Sequence, residues 1–306
     1  LQLLLGGSGS GKTTLLYQRI RARAEKGEKS ILLVPEQFTS STEGRIYREL
    51  GDALSGMVES FSFTSLAEKI LSTEGGAAVQ TLSDAGRAVL VRRALEELQD
   101  NVRYYHRHRR SAAFCQMAAQ TIDELKSAGL SGQQLAQLAG ACGAESGKLS
   151  ELALIFQGYE TLLARSGMDP SDRLELAGAR LEEALARHSL PEFLRDRAVF
   201  IDEFDTFNAP KKRLLGAMLA ALPSVTVALC DDGAPLLPGD LSLFSGAKQV
   251  AAQLRQLARK NGAEVAVPQL LRKDLRHRNA PGLAAVAELL ETGSCTADAP
   301  AGEVRL

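Results

Sequence analysis

Eight consecutive residues, Gly6, Gly7, Ser8, Gly9, Ser10, Gly11, Lys12 and Thr13, have the types and order that cradle a triphosphate, and they follow an apolar run at 1–5. Strand, glycine-rich turn and helix in that order aim successive backbone N–H groups at anionic oxygens near a helix N-terminus. Gly6 and Gly11 are expected to supply backbone angles closed to other residues. Lys12 brings a mobile positive charge to the β- and γ-phosphates, the Thr13 hydroxyl is placed to ligate Mg²⁺, and Thr14 joins the nucleotide contacts. The pattern predicts ATP with Mg²⁺ as the cofactor. A glycine-rich turn carrying a chance lysine is the plain alternative, and the strand signal just upstream argues against it.

A second half of such a site stands far along the chain. Val199, Phe200 and Ile201 lead into Asp202 and Glu203, and an apolar run ending in two carboxylates is what a second strand of an ATPase core must deliver. Asp202 would hold Mg²⁺ through water, while Glu203 would polarise the attacking water. An exposed acidic turn after a buried strand is the alternative. A small-molecule or nucleoside kinase shares the phosphate loop, but the late Asp-Glu pair and a large helical block between the two halves speak against it.

The elements that must position these groups alternate at first between short β-rich runs and amphipathic helices, the pattern of a parallel α/β sheet. Strands are predicted at 1–5, 31–34 and 57–60, and helices at 12–26, 40–50 and 64–73. After Gly75 and Gly76 helical periodicity takes over, with predicted helices at 84–98, 112–127 and 131–138 and apolar stripes through Leu152, Phe156, Tyr159, Leu163 and Leu174, Ala177, Leu181, Leu185. So long a block is an insertion, because loops inside a compact domain are short. Strands return at 198–202, 225–230 and 264–267, with helices at 211–221, 246–260 and 281–290. The expected organisation is a nucleotide-binding sheet domain at 1–75 and 190–306, interrupted by a helical insertion at 76–189.

With 306 residues, 45% of them hydrophobic, the chain can bury a large core. A formal net charge of -1 means that any nucleic-acid contact must come from a local basic surface. Cys115, Cys142, Cys230 and Cys295 show no CxxC spacing and read as reduced thiols rather than a zinc site or disulfide framework. No apolar run approaches the roughly 20 residues of a membrane span, so no membrane partner and a cytoplasmic location are expected. The chain opens directly in a strand and stops at Glu303, Val304, Arg305, Leu306, like the start of another strand, which suggests a piece of a longer protein.

Asp202, Glu203, Phe204, Asp205, Thr206 resembles the DEFQDT motif of UvrD-type superfamily 1 DNA helicases, and the segment 58–63 resembles their DNA-contacting TFHS segment. The chain is more similar still to the B subunit of the AddAB-type helicase-nuclease, which processes DNA double-strand breaks for recombinational repair. The matching blocks are GGSGSGKT at 6–13, LLVPEQFT at 32–39, SFSFTSLAEKIL at 60–71, LSDAGR at 82–87, DELK at 123–126, KLSELALIFQGYE at 148–160 and FIDEFDTF at 200–207, in the family's order. The resemblance implies a RecA-like P-loop NTPase sheet interrupted by an all-helical insertion, the 1A/1B arrangement of superfamily 1. It also implies an A subunit as heterodimer partner, DNA as substrate, and a second RecA-like lobe and an iron-sulfur nuclease domain lying outside this sequence. None of the four cysteines is then a cluster ligand. Many B subunits carry glycine where this chain has Glu203, and no γ-phosphate-sensing glutamine stands between Cys230 and Ala247. A motor and a catalytically idle scaffold that binds DNA and recognises a regulatory sequence therefore both stay open. Arg276 and Arg278 fall where helicases place an arginine near the γ-phosphate, and Arg278 is taken as a nucleotide contact.

Single-stranded DNA is expected to cross the carboxyl ends of the strands, where Pro35, Glu36, Gln37, Ser60, Phe61, Ser62 and Phe63 emerge. Hydroxyls there suit phosphates, and Phe61 or Phe63 could stack a base, although a core role is open to either ring. The run Tyr104, Tyr105, His106, Arg107, His108, Arg109, Arg110 mixes aromatics with positive charge as DNA surfaces do, with a solvated loop as the alternative.

Overall fold

Short runs of Leu, Ile and Val become strands where helices can cover both of their faces, and such strands read as unbroken apolar stretches. In this computed structural model, which describes residues 1–143, 146–273 and 275–292, six such strands form: β1 (Gln2–Gly6), β2 (Ser30–Leu33), β3 (Val58–Phe61), β4 (Ala198–Ile201), β5 (Ser224–Cys230) and β6 (Gln269–Leu271). They make one parallel sheet in the order β3-β2-β4-β5-β1-β6. β2 and β4 are buried along their whole length, whereas the outer β3 and β6 are mostly half-buried. The register sets Gly6 beside Cys230 and Leu271, and Leu33 beside Ile201. β1 and β4 therefore flank β5, and their carboxyl ends open on the same edge of the sheet.

The helices in chain order are α1 (Lys12–Ala24), α2 (Thr39–Leu50), a single turn α3 (Asp52–Ser55), α4 (Phe63–Glu74), α5 (Asp84–Leu98), α6 (Ala112–Ser127), α7 (Gly132–Ala139), α8 (Ser146–Ser166), α9 (Pro170–Ala186), α10 (Ala209–Ala221), α11 (Ser245–Lys260) and α12 (Pro281–Thr292). α1 buries Leu16, Tyr17, Ile20 and Ala24, a stripe at helical spacing, in a core shared with Leu4, Leu32, Phe200 and Ala228. Each fully buried leucine or isoleucine there contributes about 1.5–3 kcal/mol relative to exposure. Among the described residues no helix is long and apolar enough to cross a membrane.

Two compact units emerge, one made of Leu1–Leu66, His188–Phe207 and Leu215–Leu306, the other of Ala67–Arg187 and Asn208–Leu214. The first holds the sheet. The second is helical, with a core around Val91, Leu95, Ile122, Ile155, Phe156 and Tyr159. Three of its helix starts are fixed by side-chain caps: Ser83 accepts from the Gly86 amide, Ser111 from Phe114, and Ser131 with Gln134 forms a reciprocal capping box. Inside it Asp169, 1% exposed, accepts from the Tyr159 hydroxyl at 2.6 Å and from the Lys126 ammonium at 2.7 Å, while Lys126 also reaches Asp172 at 2.8 Å. Burial works against the Lys126 cation, but these carboxylates outweigh it and raise its pKa. The adjoining Arg87 pairs with Asp84 and Asp123. The LSDAGR, DELK and GYE segments thus converge on one buried polar network.

The sixth strand departs from the sequence reading. Residues 264–267 run beside β1's start, with Ala266 N–H donating to Leu1 O at 2.9 Å, but ladder pairing begins only at Gln269, opposite Leu4. Gln269–Leu271 has no β-branched residue and is three residues long, so its signal was weaker than that of the alternating run before it. Cys115, Cys142 and Cys230 are free thiols. Cys295 and the strand expected at 303–306 lie outside the described residues.

Candidate nucleotide site

The glycine-rich loop leaves the end of β1 and closes on Gly11, whose left-handed φ of 89° starts α1. The other left-handed glycine is Gly9, at φ 77°, rather than Gly6. Gly6 is constrained by crowding instead: a Cβ there would stand 2.6 Å from the Leu271 carbonyl oxygen and would strike the Ser10 side chain. The Lys12 ammonium donates to the Gly6 and Gly7 carbonyls at 2.7 and 2.8 Å. Ser10 is buried, and its hydroxyl is without a hydrogen-bond partner among the described residues.

Residues 8–14 line a cavity of about 430 Å³ together with Asp202 and Glu203. Thr13 and Asp202 line the same cavity, and Thr13 stands near enough to the Asp202 carboxyl to lower its pKa, which links the two halves. Asp202 is 6% exposed, and the Glu203 N–H donates to its Oδ1 at 3.1 Å. Burial pushes the Asp202 carboxyl above its ordinary range, and the nearby Thr13 side chain and the Glu203 N–H, with the charges of Arg45 and Lys12, pull it part of the way back. Glu203 is also raised, by burial first and then by the neighbouring Asp202 charge, against Arg45 and Lys12. Its backbone takes φ 64°, in the left-handed region that suits glycine.

Arg45 is a site residue that the sequence reading missed. It projects from α2 into the cavity wall, its guanidinium 4.9 Å above the centre of the Tyr17 ring. Burial pushes the Tyr17 hydroxyl up to about 12, with Arg45 opposing and Asp202 adding to the rise. Thr13, Arg45, Asp202 and Glu203 also border a smaller cavity of about 270 Å³ walled by Tyr17 and Phe38. No local motif marks Arg45; only the packing of α2 on this edge of the sheet brings it to the carboxylates.

Other expected positions fall in different places. Arg276 lines the main cavity, with Nη1 3.1 Å from Ser8 Oγ, whereas Arg278 is exposed and outside the lining. Gly6 and Gly7 border a separate cavity of about 430 Å³ with Asp231, Asp232 and Glu291. Pro35, Glu36 and Gln37 follow β2, and Ser60 and Phe61 close the neighbouring β3; Thr64 donates to Glu36 Oε1 at 2.6 Å, tying the two segments together. Phe61 is half-buried beside Phe193. Ser62 is buried, its amide and hydroxyl both meeting Ser65. Phe63 is 1% exposed, edge-on to Phe204 and Phe207 at 5.3 and 6.0 Å, so its ring is core and cannot stack a base.

Fold and site together define a parallel α/β protein with a phosphate-loop-like turn facing an acidic strand end. Residues 3–287 match the family model described as ADDB, N-terminal, and the chain belongs to that family. It is 34% identical over 296 residues to the B subunit of the ATP-dependent helicase/deoxyribonuclease of Desulforudis audaxviator, covering 93% of this chain and 25% of the relative. The proteins of the same description from Moorella thermoacetica and Symbiobacterium thermophilum are 33% and 31% identical, covering 93% and 95% of this chain and 25% and 26% of theirs. The chain thus spans about a quarter of the length of the curated relatives it matches.

Proposed function

We propose that this chain is the helicase-like, ATP- and DNA-binding portion of the B subunit of a heterodimeric helicase-nuclease that processes DNA double-strand breaks in the cytoplasm for recombinational repair. The observation that carries the reading is the single cavity lined by Lys12 and Thr13 of the loop and by Asp202 and Glu203 of the acidic strand end. The relatives' description as B subunits of an ATP-dependent helicase/deoxyribonuclease supports ATP as the nucleotide, DNA as the substrate and a companion A subunit as the partner. In this reading the sheet unit is a RecA-like 1A lobe and the helical unit its 1B insertion. Family membership argues against the metabolite-kinase alternative.

The residues fit a magnesium triphosphate. The unpartnered Ser10 hydroxyl and the loop amides offer donors to phosphate oxygens, and Thr13 and Asp202 offer oxygen ligands to the cation. Bound Mg²⁺ would neutralise phosphate charge and relieve the burial cost of Asp202. Lys12 must exchange the carbonyls of Gly6 and Gly7 for phosphate oxygens, which lowers the net gain on binding. Glu203 would orient the attacking water. DNA would follow the carboxyl edge of the sheet at Pro35, Glu36, Gln37, Ser60 and Phe61, with Arg276 on the phosphate side of the cavity.

Calorimetric titration with Mg-ATP tests this reading. Lys12→Ala should abolish binding while circular dichroism stays unchanged, and undiminished affinity would refute the assignment. The idle-scaffold reading is favoured by one observation, the glycine-like backbone at Glu203. Glu203→Gln in this chain of the assembled heterodimer separates the two: a lost ATPase rate marks a motor, an unchanged rate a scaffold.

A further inference from the structure

The connection between α5 and α6 carries chemistry that the nucleotide site does not use. Glu151 on α8, 7% exposed, accepts the backbone N–H groups of Arg103 at 2.6 Å, Tyr104 at 2.8 Å and Tyr105 at 3.2 Å. A buried carboxylate occupied by three amides fixes the main chain of the loop. Tyr105 stacks on Phe114 with ring centres 5.4 Å apart, and His108 lies against the same ring at 5.6 Å. The Tyr104 ring rests over Gly147, where a Cβ would stand 2.8 Å from it, yet Tyr104 remains 57% exposed. Arg109 turns in to the His106 ring.

That leaves Arg103, Arg107 and Arg110, all exposed and in no ion pair among the described residues. Several other surface arginines of the helical unit are neutralised: Arg92 by Glu96, Arg93 by Glu97, Arg180 by Glu183 and Arg213 by Glu175 and Glu182. A loop pinned at its backbone, with three guanidinium groups in no ion pair among the described residues and an exposed tyrosine face beside them, is concentrated positive charge on a chain of net charge -1. We propose that this loop is a binding site for the phosphodiester backbone of DNA, additional to the carboxyl edge of the sheet. The inference rests on the reading that the protein works on DNA. Guanidinium groups engage phosphate oxygens through paired N–H bonds, a flat exposed ring stacks on a sugar or base, and a preordered loop loses little entropy on binding. An acidic protein surface would use the cations but leave the tyrosine face without a role.

The test measures DNA affinity by fluorescence anisotropy against salt concentration, with duplex and single-stranded oligonucleotides in separate arms. The whole chain is compared with a variant carrying Arg103→Ala, Arg107→Ala and Arg110→Ala, and with the three Arg→Lys changes together. Each lost phosphate contact lowers the salt slope by about 0.9 on duplex or about 0.7 on single strands, so the alanine variant should lose roughly 2 to 3 from it. The lysine variant should keep the slope, and Mg-ATP affinity should be the same in all three proteins. Tyr104→Ala should weaken the single-stranded arm more than the duplex arm if a base is stacked, and both arms equally if only the sugar is touched. An unchanged slope in the alanine variant, or a loss that lysine does not restore, overturns the site while the DNA reading stands. Failure of the unaltered chain to bind DNA in either arm overturns both.

Discussion

Replacing Glu203 by glycine and, separately, by alanine isolates the cost of one backbone angle. Both changes remove the carboxylate beside Asp202, so they share its electrostatic consequence and differ only at the main chain. A left-handed conformation costs a residue with a Cβ about 1–2 kcal/mol, and Glu203 sits there with φ 64°. Glycine escapes that cost but gives up roughly 0.5–1 kcal/mol more than alanine in chain entropy on folding. The difference leaves Glu203→Gly more stable than Glu203→Ala by about 0.5–1 kcal/mol, a reversal of the usual order. For the sheet unit that corresponds to a melting temperature higher by roughly 1–4 °C, at about 2–4 °C per kcal/mol for a domain of its size. Differential scanning calorimetry of the two variants side by side reads it. Alanine equal to or above glycine would show that the angle carries no strain.

Removing Arg45 should raise both carboxyls of the Asp202–Glu203 pair further, since its charge opposes their burial. Binding that needs Asp202 ionised is lost as pH falls through its pKa, so Arg45→Met should move the acid limb of the Mg-ATP affinity profile to higher pH; an unmoved limb would refute the role. The unaltered pair has a stability consequence as well. With folded pKa values above the ordinary 3.8 and 4.5, the native state holds protons more tightly than the unfolded one. Their contribution is therefore greatest in acid and declines as pH rises through those folded values, and Asp202→Asn should flatten that decline in urea titrations. In the helical unit, Lys126→Met leaves Asp169 buried without its cation and should cost about 3–5 kcal/mol by urea denaturation. Tyr159→Phe, which removes one hydroxyl donor to Asp169, should cost only about 1–3 kcal/mol.

Much of the architecture was legible because its signals are local. The predicted helices at 84–98 and 112–127 match α5 and α6 in both bounds, since each begins at a serine whose hydroxyl caps it. The first five strands were found to within about a residue, and for β1, β2, β4 and β5 the reason is an apolar run buried on two faces. β6 was displaced because its pairing is dictated by β1 and not by its own composition. The same distinction runs through the site. Lys12, Thr13, Asp202 and Glu203 announce themselves in motifs, whereas Arg45 reaches them through packing alone, and the fates of Phe61 and Phe63, two positions apart, differ only because one faces Phe204 and Phe207. The meaning of the LSDAGR and DELK segments was hidden for the same reason, as Arg87 on α5 meets Asp123 on α6 and Lys126 on α6 meets Asp172 on α9.

The strand order has a consequence for synthesis on the ribosome. β1 ends at Gly6, but both of its neighbours come late, β5 beginning at Ser224 and β6 at Gln269. β2 acquires β3 early and must then wait for β4 until the helices of the second unit have emerged. The phosphate loop thus hangs from a strand with no lateral partner until β5 emerges, and the nascent sheet presents open edges for the whole interval. A nucleotide can meet a finished pocket only after β5 and β6 have closed around β1, which makes their emergence, long after the loop itself, the step that creates the site.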